Sequence, residues 1–397
     1  MRSQTKIERI LLSSLFDPYI PLLEYLVVWF AIIGIAVLLK TDKHGIIAKP
    51  YYLMLKTVAF NKVLERIGGR FRRGWTIYFD IGAVLGVGFI VFILYAIIRN
   101  AIALFYRSSQ AGPTILIVPV PGLTLGWDIF PYILFAIAVL LIPHEAAHGI
   151  ASVLDKVPIK SSGVFMAVFL PGGFVEIDEE DLAKRKALTK LRVFAAGSFT
   201  NAVTFGVVLL LLFALFQTAP AGVLVTGFTP GSPAAQAQLP QWSVITGLNA
   251  TTVRQIHDVA NYMYKVNPGS LVQVRLNDGQ VFNITTGRSD TNSSRAILGI
   301  YNRDYVPLRY DFLSRQSQYQ LYYGVFYWLV IILPNVALIN MLPMVPFDGD
   351  RYFDTLLGIL GVKHTRPFRT IASVVSLGLL LSNLILSFVL FGTVFPR

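Results

Sequence analysis

The chain has 397 residues, of which 54% are hydrophobic and only 14% are charged, and its mean hydropathy is +0.61. These values exclude an ordinary soluble globular protein and indicate a chain that crosses a membrane several times. The formal net charge of +12 does not indicate nucleic-acid binding, because the basic residues lie in short loops beside apolar segments. The chain has no cysteine, so a metal site would have to use histidine and carboxylate ligands.

Apolar segments of about the 20 residues needed to cross a bilayer recur along the chain. The six segments lie at about residues 19–40, 77–105, 128–155, 191–217, 319–342 and 369–392. The fold class is therefore predicted to be an α-helical polytopic membrane protein with about six transmembrane helices. The loops at 40–73, 156–192 and 348–369 are rich in Lys and Arg, so the positive-inside rule predicts that they are cytoplasmic and that both termini lie outside.

A segment of different character, residues 219–316, separates the fourth and fifth apolar segments. It is less hydrophobic, and the alternating stretches 272–276 and 280–284 are typical of two strands joined by the turn residues 277–279. The sequence therefore predicts a small inserted α/β domain. The topology places this domain outside the cytoplasm, and the chain's acceptor sequons for N-glycosylation, at Asn249, Asn283 and Asn292, all fall within it.

The inserted segment resembles a PDZ domain. The resemblance rests on Thr229 to Ala235, on Val244 to Asn249 and on an amphipathic stretch from Val253 to Tyr264. The chain departs from the PDZ pattern at Gln238-Leu239 and Gln241-Trp242-Ser243, where a Gly-Leu pair and a Gly-Asp turn are expected. The resemblance implies a PDZ-like fold for the insert.

These features divide the chain into four predicted regions. They are an N-terminal membrane region with two accessory spans and a basic loop (1–127), the first part of a membrane core (128–218), the PDZ-like domain (219–316) and the second part of the membrane core (317–397).

The third apolar segment contains the sequence His144-Glu145-Ala146-Ala147-His148 near its predicted cytoplasmic end. Imidazoles four residues apart share one face of a helix, about 6 Å apart at Cβ, so both rings can reach one zinc ion. Glu145 lies beside them, where it could take a proton from metal-bound water. The alternative is a pair of interfacial histidines beside a carboxylate at the end of the helix.

A catalytic zinc site requires a third protein ligand and an open position. His44 and His364 lie in basic loops and His257 is predicted on the opposite side of the membrane, so a carboxylate is the expected ligand. Asp348 closes the fifth apolar segment on the predicted cytoplasmic side, and Gly349 would allow the backbone beside it to approach closely. The alternative is an ordinary Asp-Gly turn after a helix.

The two segments HEAAH at 144–148 and NMLPMVPFDGD at 340–350 resemble the paired signature of the site-2 protease family of intramembrane zinc metalloproteases. The resemblance implies that His144, His148 and Asp348 bind Zn²⁺ and that Glu145 activates water. It also implies that Asn340 holds the substrate carbonyl or stabilises the oxyanion; the alternative for Asn340 is a hydrogen bond within the helix bundle.

A third segment of the chain, residues 196–201, also resembles a motif of the site-2 protease family. In this motif Gly197 and Asn201 would be packing residues, a small residue that lets helices approach and an amide that bonds across them.

Between the third and fourth apolar segments, residues 164–170 and 174–177 flank Pro171-Gly172-Gly173. This pattern predicts an apolar hairpin that turns at 171–173, and we expect one of its edges to bind the substrate as an added strand. The alternative is an interfacial loop that caps the bundle. The acidic run from Glu176 to Asp181 is expected to be a solvated face and the start of a helix, with a second metal site as the alternative.

The expected function is zinc-dependent intramembrane endoproteolysis of transmembrane segments in membrane-protein substrates within the lipid bilayer, without nucleic acid. The active site is expected toward the cytoplasm and the PDZ-like domain outside. One alternative is a membrane zincin with a cytoplasmic catalytic domain and a glutamate as third ligand, but no Glu follows Glu180. The other is a transporter or scaffold of similar architecture without proteolytic activity.

Overall fold

The computed structural model describes residues 20–115, 117, 119–120, 124–168, 170–289 and 292–392. The chain divides into two compact units. We call Met1–Gly206 together with Trp328–Arg397 the membrane unit, and Val207–Tyr327 the inserted unit.

Helices form most of the membrane unit. In chain order, the helices and strands up to the inserted unit are α1 (Ile20–Leu38), a 3₁₀ turn (Thr41–His44), β1 (Ile46–Lys49), β2 (Tyr52–Thr57), α2 (Ala59–Arg70), α3 (Arg72–Phe105), α4 (Phe130–Leu154), β3 (Ile159–Ala167), β4 (Leu170–Ile177), α5 (Glu179–Lys184) and α6 (Ala187–Leu215).

The C-terminal helices follow the strands of the inserted unit. A helical segment that begins with α9 (Arg315–Tyr319) passes through a π-helical stretch (Gln320–Phe326) into α10 (Tyr327–Ile339), and is followed by α11 (Asp348–Ile359) and α12 (Arg366–Phe391).

Five helices of the described chain are long and apolar enough to cross a membrane. They are Arg72–Phe105, Phe130–Leu154, Ala187–Leu215, Arg315–Ile339 and Arg366–Phe391. The first predicted span corresponds to α1, whose apolar stretch Leu22–Leu38 is shorter. The prediction of a polytopic helical membrane protein is therefore confirmed, with five long helices and one shorter apolar helix in the described residues.

A four-stranded antiparallel sheet with the order β1-β2-β3-β4 lies beside the helices of the membrane unit. The predicted hairpin is present as β3 and β4, but its predicted turn at 171–173 is wrong. Ala167 pairs with Leu170, so the chain reverses there, and Gly172 pairs with Phe165 inside the strands. The ring of Phe165 lies across Gly172, where an added Cβ would be 2.2 Å from its Cζ atom, and this packing explains why a glycine can stand within the strand.

The sheet also contains two strands that the sequence analysis did not predict. β1 and β2 come from the basic loop after α1, and Leu55 of β2 pairs with Val164 of β3. Because β3 is covered by β2 on one side, β4 is the edge strand of the hairpin in the described part of the chain.

Glycines set the distances between helices in the membrane unit. An added Cβ at Gly82 of α3 would lie 2.8 Å from the ring of Phe199 on α6, and one at Gly86 would lie 2.7 Å from the ring of Tyr352 on α11. The Tyr352 hydroxyl donates a hydrogen bond to the carbonyl of Ala83. α3 therefore packs closely against both α6 and α11, which are two of the helices that carry the candidate site.

Between α6 and α9, the inserted unit contains a six-stranded antiparallel sheet, a separate two-stranded sheet and two short helices. Its elements are β5 (Val223–Phe228), α7 (Pro233–Gln236), β6 (Val244–Leu248), β7 (Thr251–Thr252), α8 (Ile256–Met263), β8 (Leu271–Leu276), β9 (Val281–Thr285), β10 (Gly287–Arg288), β11 (Ala296–Ile297) and β12 (Ile300–Asp304). The strand order is β12-β5-β6-β8-β9, with β7 paired to β6. The prediction of a small α/β insert with a hairpin turning at 277–279 is confirmed, since Arg275 pairs with Val281.

Three described non-glycine residues of the inserted unit have a left-handed backbone conformation, namely Gln238, Trp242 and Asn249. Gln238 has φ 54° and Trp242 has φ 66°. These residues belong to the two places where the chain departs from the PDZ pattern, at which a glycine would adopt this conformation without a steric penalty. Gln238 and Trp242 therefore have the backbone conformation that glycine adopts most easily.

Candidate metal centre

His144 and His148 lie one turn apart on α4, and both are at least nine-tenths buried. Their Nε2 atoms are 3.2 Å apart, so both rings point the same nitrogen toward one place. The same helix contributes Ala147, Ile150 and Ala151 to a cluster of buried apolar residues in this part of the bundle.

Asp348 is the first residue of α11, and its Oδ2 atom lies 3.5 Å from Nε2 of His144 and 3.2 Å from Nε2 of His148. The turn before it is fixed by its neighbour, because the N–H of Gly349 donates to the carbonyl of Asn340 at 2.8 Å. An added Cβ at Gly349 would lie 2.3 Å from the carbonyl carbon of Met341. The predicted close backbone approach at Gly349 is therefore confirmed.

The three candidate ligand atoms fit a divalent ion of the size of zinc. Three atoms that each lie about 2.0 to 2.1 Å from one ion at tetrahedral angles are about 3.3 Å from one another. The observed separations of His144, His148 and Asp348 are 3.2 to 3.5 Å. Two imidazoles and one carboxylate also form a donor set that catalytic zinc sites use, with a fourth position left for water or substrate.

The second nitrogen of each ring is held by a polar partner. Nδ1 of His148 donates to the carbonyl of Val193 at 2.7 Å, which directs Nε2 toward the ligand cluster. The side-chain amide of Asn201 lies 2.9 Å from Nδ1 of His144, and its Oδ1 is buried without a partner among the described residues. Rotating the Asn201 amide by 180° places its Oδ1 atom next to Nδ1 of His144. Oδ1 then accepts the proton that Nδ1 carries in a neutral imidazole whose Nε2 binds a metal.

Gly197 lies directly against both imidazole rings. An added Cβ at this position would lie 2.5 Å from Nε2 of His144 and 2.5 Å from Nε2 of His148. No side chain larger than hydrogen can stand here without moving the rings. The space in front of the two ligand nitrogens therefore depends on a glycine of α6.

Glu145 extends from α4 toward the hairpin rather than toward the two histidines' ring faces. Its Oε2 accepts a hydrogen bond from the N–H of Val175 at 3.1 Å, and an added Cβ at Gly173 would lie 2.9 Å from its Cγ. Glu145, the three candidate ligands and β4 line one cavity of about 480 Å³. The carboxylate is therefore held against the exposed edge of the sheet, inside the same cavity as the ligand cluster.

Asn340 follows the C-terminal end of α10 and lines the same cavity. Its Nδ2 lies 3.4 Å from Nε2 of His144. An amide donor therefore faces the place where the ligand nitrogens converge.

Glu176 of β4 also lines this cavity, but its charge is already paired. Lys56 of β2 and the hydroxyl of Ser161 both donate to its Oε2 at 2.6 Å. The hydrogen bond from Lys56, followed by that from Ser161, holds the pKa of Glu176 below its usual range. A carboxylate that is stabilised as an anion is a weak proton acceptor, so Glu145 is the better candidate for a general base.

The acidic run after β4 begins a helix, as one of the two interpretations expects. Asp178 is the N-cap of α5, and its Oδ1 accepts hydrogen bonds from the N–H groups of Glu180 and Asp181. Glu179 forms a 2.7 Å ion pair with Arg351 at the mouth of the cavity.

Two histidines outside the HEAAH segment are exposed. His257 is exposed on α8 of the inserted unit and His364 is exposed before α12, while the side chain of His44 is outside the described residues. Among the described residues, His144, His148 and Asp348 form the group that could hold a metal ion.

Sequence reasoning missed three contributors to this site. The sequence predicts that Gly197 and Asn201 pack between helices, whereas both contact the histidines directly. Val193 contributes a backbone carbonyl, which leaves no signal in the sequence. The spacing of four residues between Gly197 and Asn201, which puts both on one face of α6, was the signal that could have linked them to the metal site.

Comparison with known proteins relates this geometry to a family. The sequence profile of peptidase family M50 matches residues 132–383. An uncharacterized protein of Methanocaldococcus jannaschii is 22% identical over 360 residues, which cover 90% of each chain. A membrane-bound transcription factor site-2 protease homolog of Arabidopsis thaliana is 27% identical over 169 residues, which cover 42% of this chain and 31% of that protein.

A solved structure, the PDZ domain of the SdrC-like protein from Listeria monocytogenes, matches at 19% identity with a TM-score of 0.20, over 22% of this chain and 92% of that chain. The family match covers well over half of the present chain and includes His144, Glu145, His148, Asn340 and Asp348. On that match, this integral membrane protein belongs to peptidase family M50, a family of metalloproteases.

Proposed function

We propose that the chain is a zinc-dependent endopeptidase that hydrolyses peptide bonds in transmembrane segments of other membrane proteins. The observation that carries the proposal is the convergence of Nε2 of His144, Nε2 of His148 and Oδ2 of Asp348 within 3.2 to 3.5 Å of one another, beside Glu145 in one cavity. These three residues would hold the metal. Zinc bound there would supply the Lewis acidity that makes water a stronger acid and a better nucleophile.

The side chains around this centre have separate roles in the proposed reaction. Glu145 accepts the proton that the attacking water loses, and returns it to the nitrogen of the departing amine. The amide of Asn340 donates a hydrogen bond to the carbonyl oxygen as negative charge develops on it. Val193 and Asn201 keep the two imidazoles in the tautomer that leaves Nε2 free to bind the metal.

The edge of β4 is the proposed binding site for the substrate backbone. A substrate helix hides its carbonyl groups in its own hydrogen bonds, so a segment must be extended and paired elsewhere before it can be cut. The N–H of Val175 points away from β3, since it bonds to Glu145, and alternation along an antiparallel strand makes the backbone of Gly173 face the same way. A substrate strand added at this edge would run past Glu145 within the cavity.

The decisive experiment compares wild type with Glu145→Gln in the cleavage of a purified single-span substrate. We expect the substitution to lower the cleavage rate by about three orders of magnitude or more, because it removes the proton acceptor, and to leave zinc content unchanged, because Glu145 is not a ligand. Equal cleavage by both proteins, or no cleavage by either with zinc bound, would favour the transporter or scaffold alternative.

The edge of β4 is tested with proline, which removes an N–H group from the strand. We expect Val175→Pro to abolish cleavage and to retain zinc, whereas Leu170→Pro, at the first residue of the same strand, should cleave at close to the wild-type rate. Cleavage by Val175→Pro at the wild-type rate would exclude strand addition at this edge. Phe169 lies outside the described residues.

We further propose that the metal centre lies toward the cytoplasm and that the inserted unit lies outside. Support comes from the basic loops and from the sequons of the inserted unit. Because the chain has no cysteine, single cysteines at the exposed residues Lys186 and Lys265 can report the topology. A membrane-impermeant maleimide applied to intact cells should label the cysteine at 265 and leave the one at 186 unlabelled; the opposite pattern would reverse the orientation.

A further inference from the structure

The helix α2 (Ala59–Arg70) lies between the β1–β2 hairpin and the first long span, and it buries only one narrow stripe. Asn61, Leu64 and Gly68 are its buried residues. Leu64 packs against the helix of the two histidines, since an added Cβ at Gly149 would lie 2.5 Å from its Cδ1. The amide of Asn61 donates to the carbonyl of Ile159 at 3.1 Å, so α2 is fixed against both α4 and β3.

A second apolar stripe on α2 faces outward. Phe60, Val63 and Ile67 follow one another at helical spacing and are 36%, 45% and 39% exposed, and Phe71, directly after the last residue of the helix, is 65% exposed. Four large apolar side chains in one exposed row are unfavourable in water. The row therefore requires an apolar environment outside the protein.

A basic stripe lies beside this exposed row. Lys62, Arg66 and Arg70 are exposed and occur at every fourth residue, and Glu65 is the acidic residue of the helix. At about 100° of rotation per residue, the basic stripe lies roughly a quarter-turn from the apolar row, on the side away from the buried stripe. Around the helix, protein-facing, apolar and cationic surfaces thus follow in that order.

The neighbours of α2 place it at the end of two membrane-spanning helices. Phe71 joins it directly to α3, and the indole N–H of Trp75 in the first turn of α3 donates to the carbonyl of Ile67 at 3.1 Å. Gly68 lies against Val153 in the last turn of α4, where an added Cβ would be 3.2 Å from its Cγ1. Tryptophan is enriched where spans meet the membrane surface, so α2 lies at the depth of lipid headgroups.

We propose that α2 is an interfacial helix that binds the surface of a bilayer containing anionic phospholipid. Phe60, Val63, Ile67 and Phe71 enter the boundary of the acyl chains, and Lys62, Arg66 and Arg70 extend to the phosphate groups. Charge complementarity with anionic headgroups selects this partner. This binding surface is separate from the proposed peptidase activity, and it can be tested on protein that cleaves nothing.

The absence of cysteine from the sequence allows a direct test. Val63→Cys, labelled with an environment-sensitive dye, is reconstituted in nanodiscs with small amounts of phosphatidylcholine or phosphatidylglycerol that carry a spin label near the headgroup. We expect blue-shifted emission, quenching by both lipids, and a preference for the phosphatidylglycerol quencher of about fivefold or more. Joint substitution of Lys62→Gln, Arg66→Gln and Arg70→Gln should reduce the preference to near one while quenching by phosphatidylcholine remains.

The matched control removes three exposed positive charges from the inserted unit, by Arg254→Gln, Lys265→Gln and Arg288→Gln, and should keep the preference. The proposal is wrong if the dye at position 63 stays in water and is not quenched, which would leave α2 as a docking surface for an acidic protein segment. It is equally wrong if wild type shows no preference between the two quenchers, or if the control triple variant loses the preference as fully as the α2 variant does.

Discussion

The membrane unit and the inserted unit fill their interiors with different kinds of side chain. The inserted unit has a contiguous core of apolar residues, with Leu248 and Val274 fully buried among them. Of the buried polar residues in the described part of the chain, all but Ser232, Thr286 and Gln318 belong to the membrane unit. The histidines and Asn201 of the metal centre are among them.

The solvent of each unit accounts for this difference. The inserted unit carries the polar, turn-rich composition of a domain in water, where surface groups can be hydrated and the interior gains most from apolar side chains. Lipid offers no hydrogen bonds, so polar groups in the membrane unit are placed inside and bonded to one another. We therefore expect substitutions at the close polar contacts of the membrane unit to change metal binding. Substitutions in the apolar core of the inserted unit should change the stability of that unit and not its metal binding.

The largest effect on metal binding is expected from Gly197→Ala. Its methyl group would lie 2.5 Å from both ligand nitrogens, so the two rings must move. We expect this displacement to lower the zinc affinity by about a hundredfold or more. Gly206→Ala on the same helix is the matched control, because nothing lies within 4 Å of its added Cβ. Zinc retention against a chelator series measures both; equal retention by the two variants would contradict the role of Gly197.

Asn201→Leu should weaken metal binding by about 10- to 100-fold, the usual effect of losing the partner of a ligating histidine. Asn201→Asp keeps an oxygen acceptor for Nδ1 of His144, so it should recover most of the zinc affinity. Chelator competition on the folded proteins gives the two affinities. If Leu and Asp lower them equally, Asn201 acts through packing and not through the tautomer of His144.

Leu248→Ala should leave zinc affinity unchanged and destabilise the inserted unit by about 2 to 5 kcal/mol, since it leaves a cavity in a fully packed core. Hydrogen exchange of the β8 amides would report the loss of protection. Leu271→Ala, at a position that is 62% exposed, should change protection by less than about 0.5 kcal/mol. A loss of zinc in the Leu248 variant would show that the two units are not independent.

The smallest effect is expected from Gln238→Gly. Gln238 has φ 54°, which costs a residue with a Cβ about 1 to 2 kcal/mol, and glycine regains this at an entropic cost of about 0.5 to 1 kcal/mol. The inserted unit should therefore become more stable by about 0.5 to 1 kcal/mol, measured by exchange of the β6 amides. Gln236→Gly, inside α7, should have the opposite sign.

The sequence predicted the features that depend on residues close to one another in the chain. Helical spacing placed His144 and His148 on one face, and Asn277 to Gly279 predicted the turn between β8 and β9. The prediction of the β3–β4 turn was wrong because Pro171 and the glycines after it are typical turn residues. Only the packing of the cross-strand ring of Phe165 makes Gly172 suitable for a strand.

The sequence did not predict the contacts between segments that are far apart in the chain. β1 and β2 are short strands in a basic loop, and the pairing of β2 with β3 joins residues more than a hundred positions apart. The pairing of Asn201 with His144 depends on how α4 and α6 pack, which periodicity within one helix does not specify.

The four-stranded sheet has a consequence for how far the protein can be shortened. The segment that matches the family begins at residue 132, after β1, β2, α2 and α3. A protein cut back to that segment would lose the partner of β3 and expose a row of unpaired backbone groups on the far side of the hairpin that borders the metal centre. A shortened protein that keeps the complete sheet therefore has to include the residues from Ile46 onward, although the segment that matches the family starts much later.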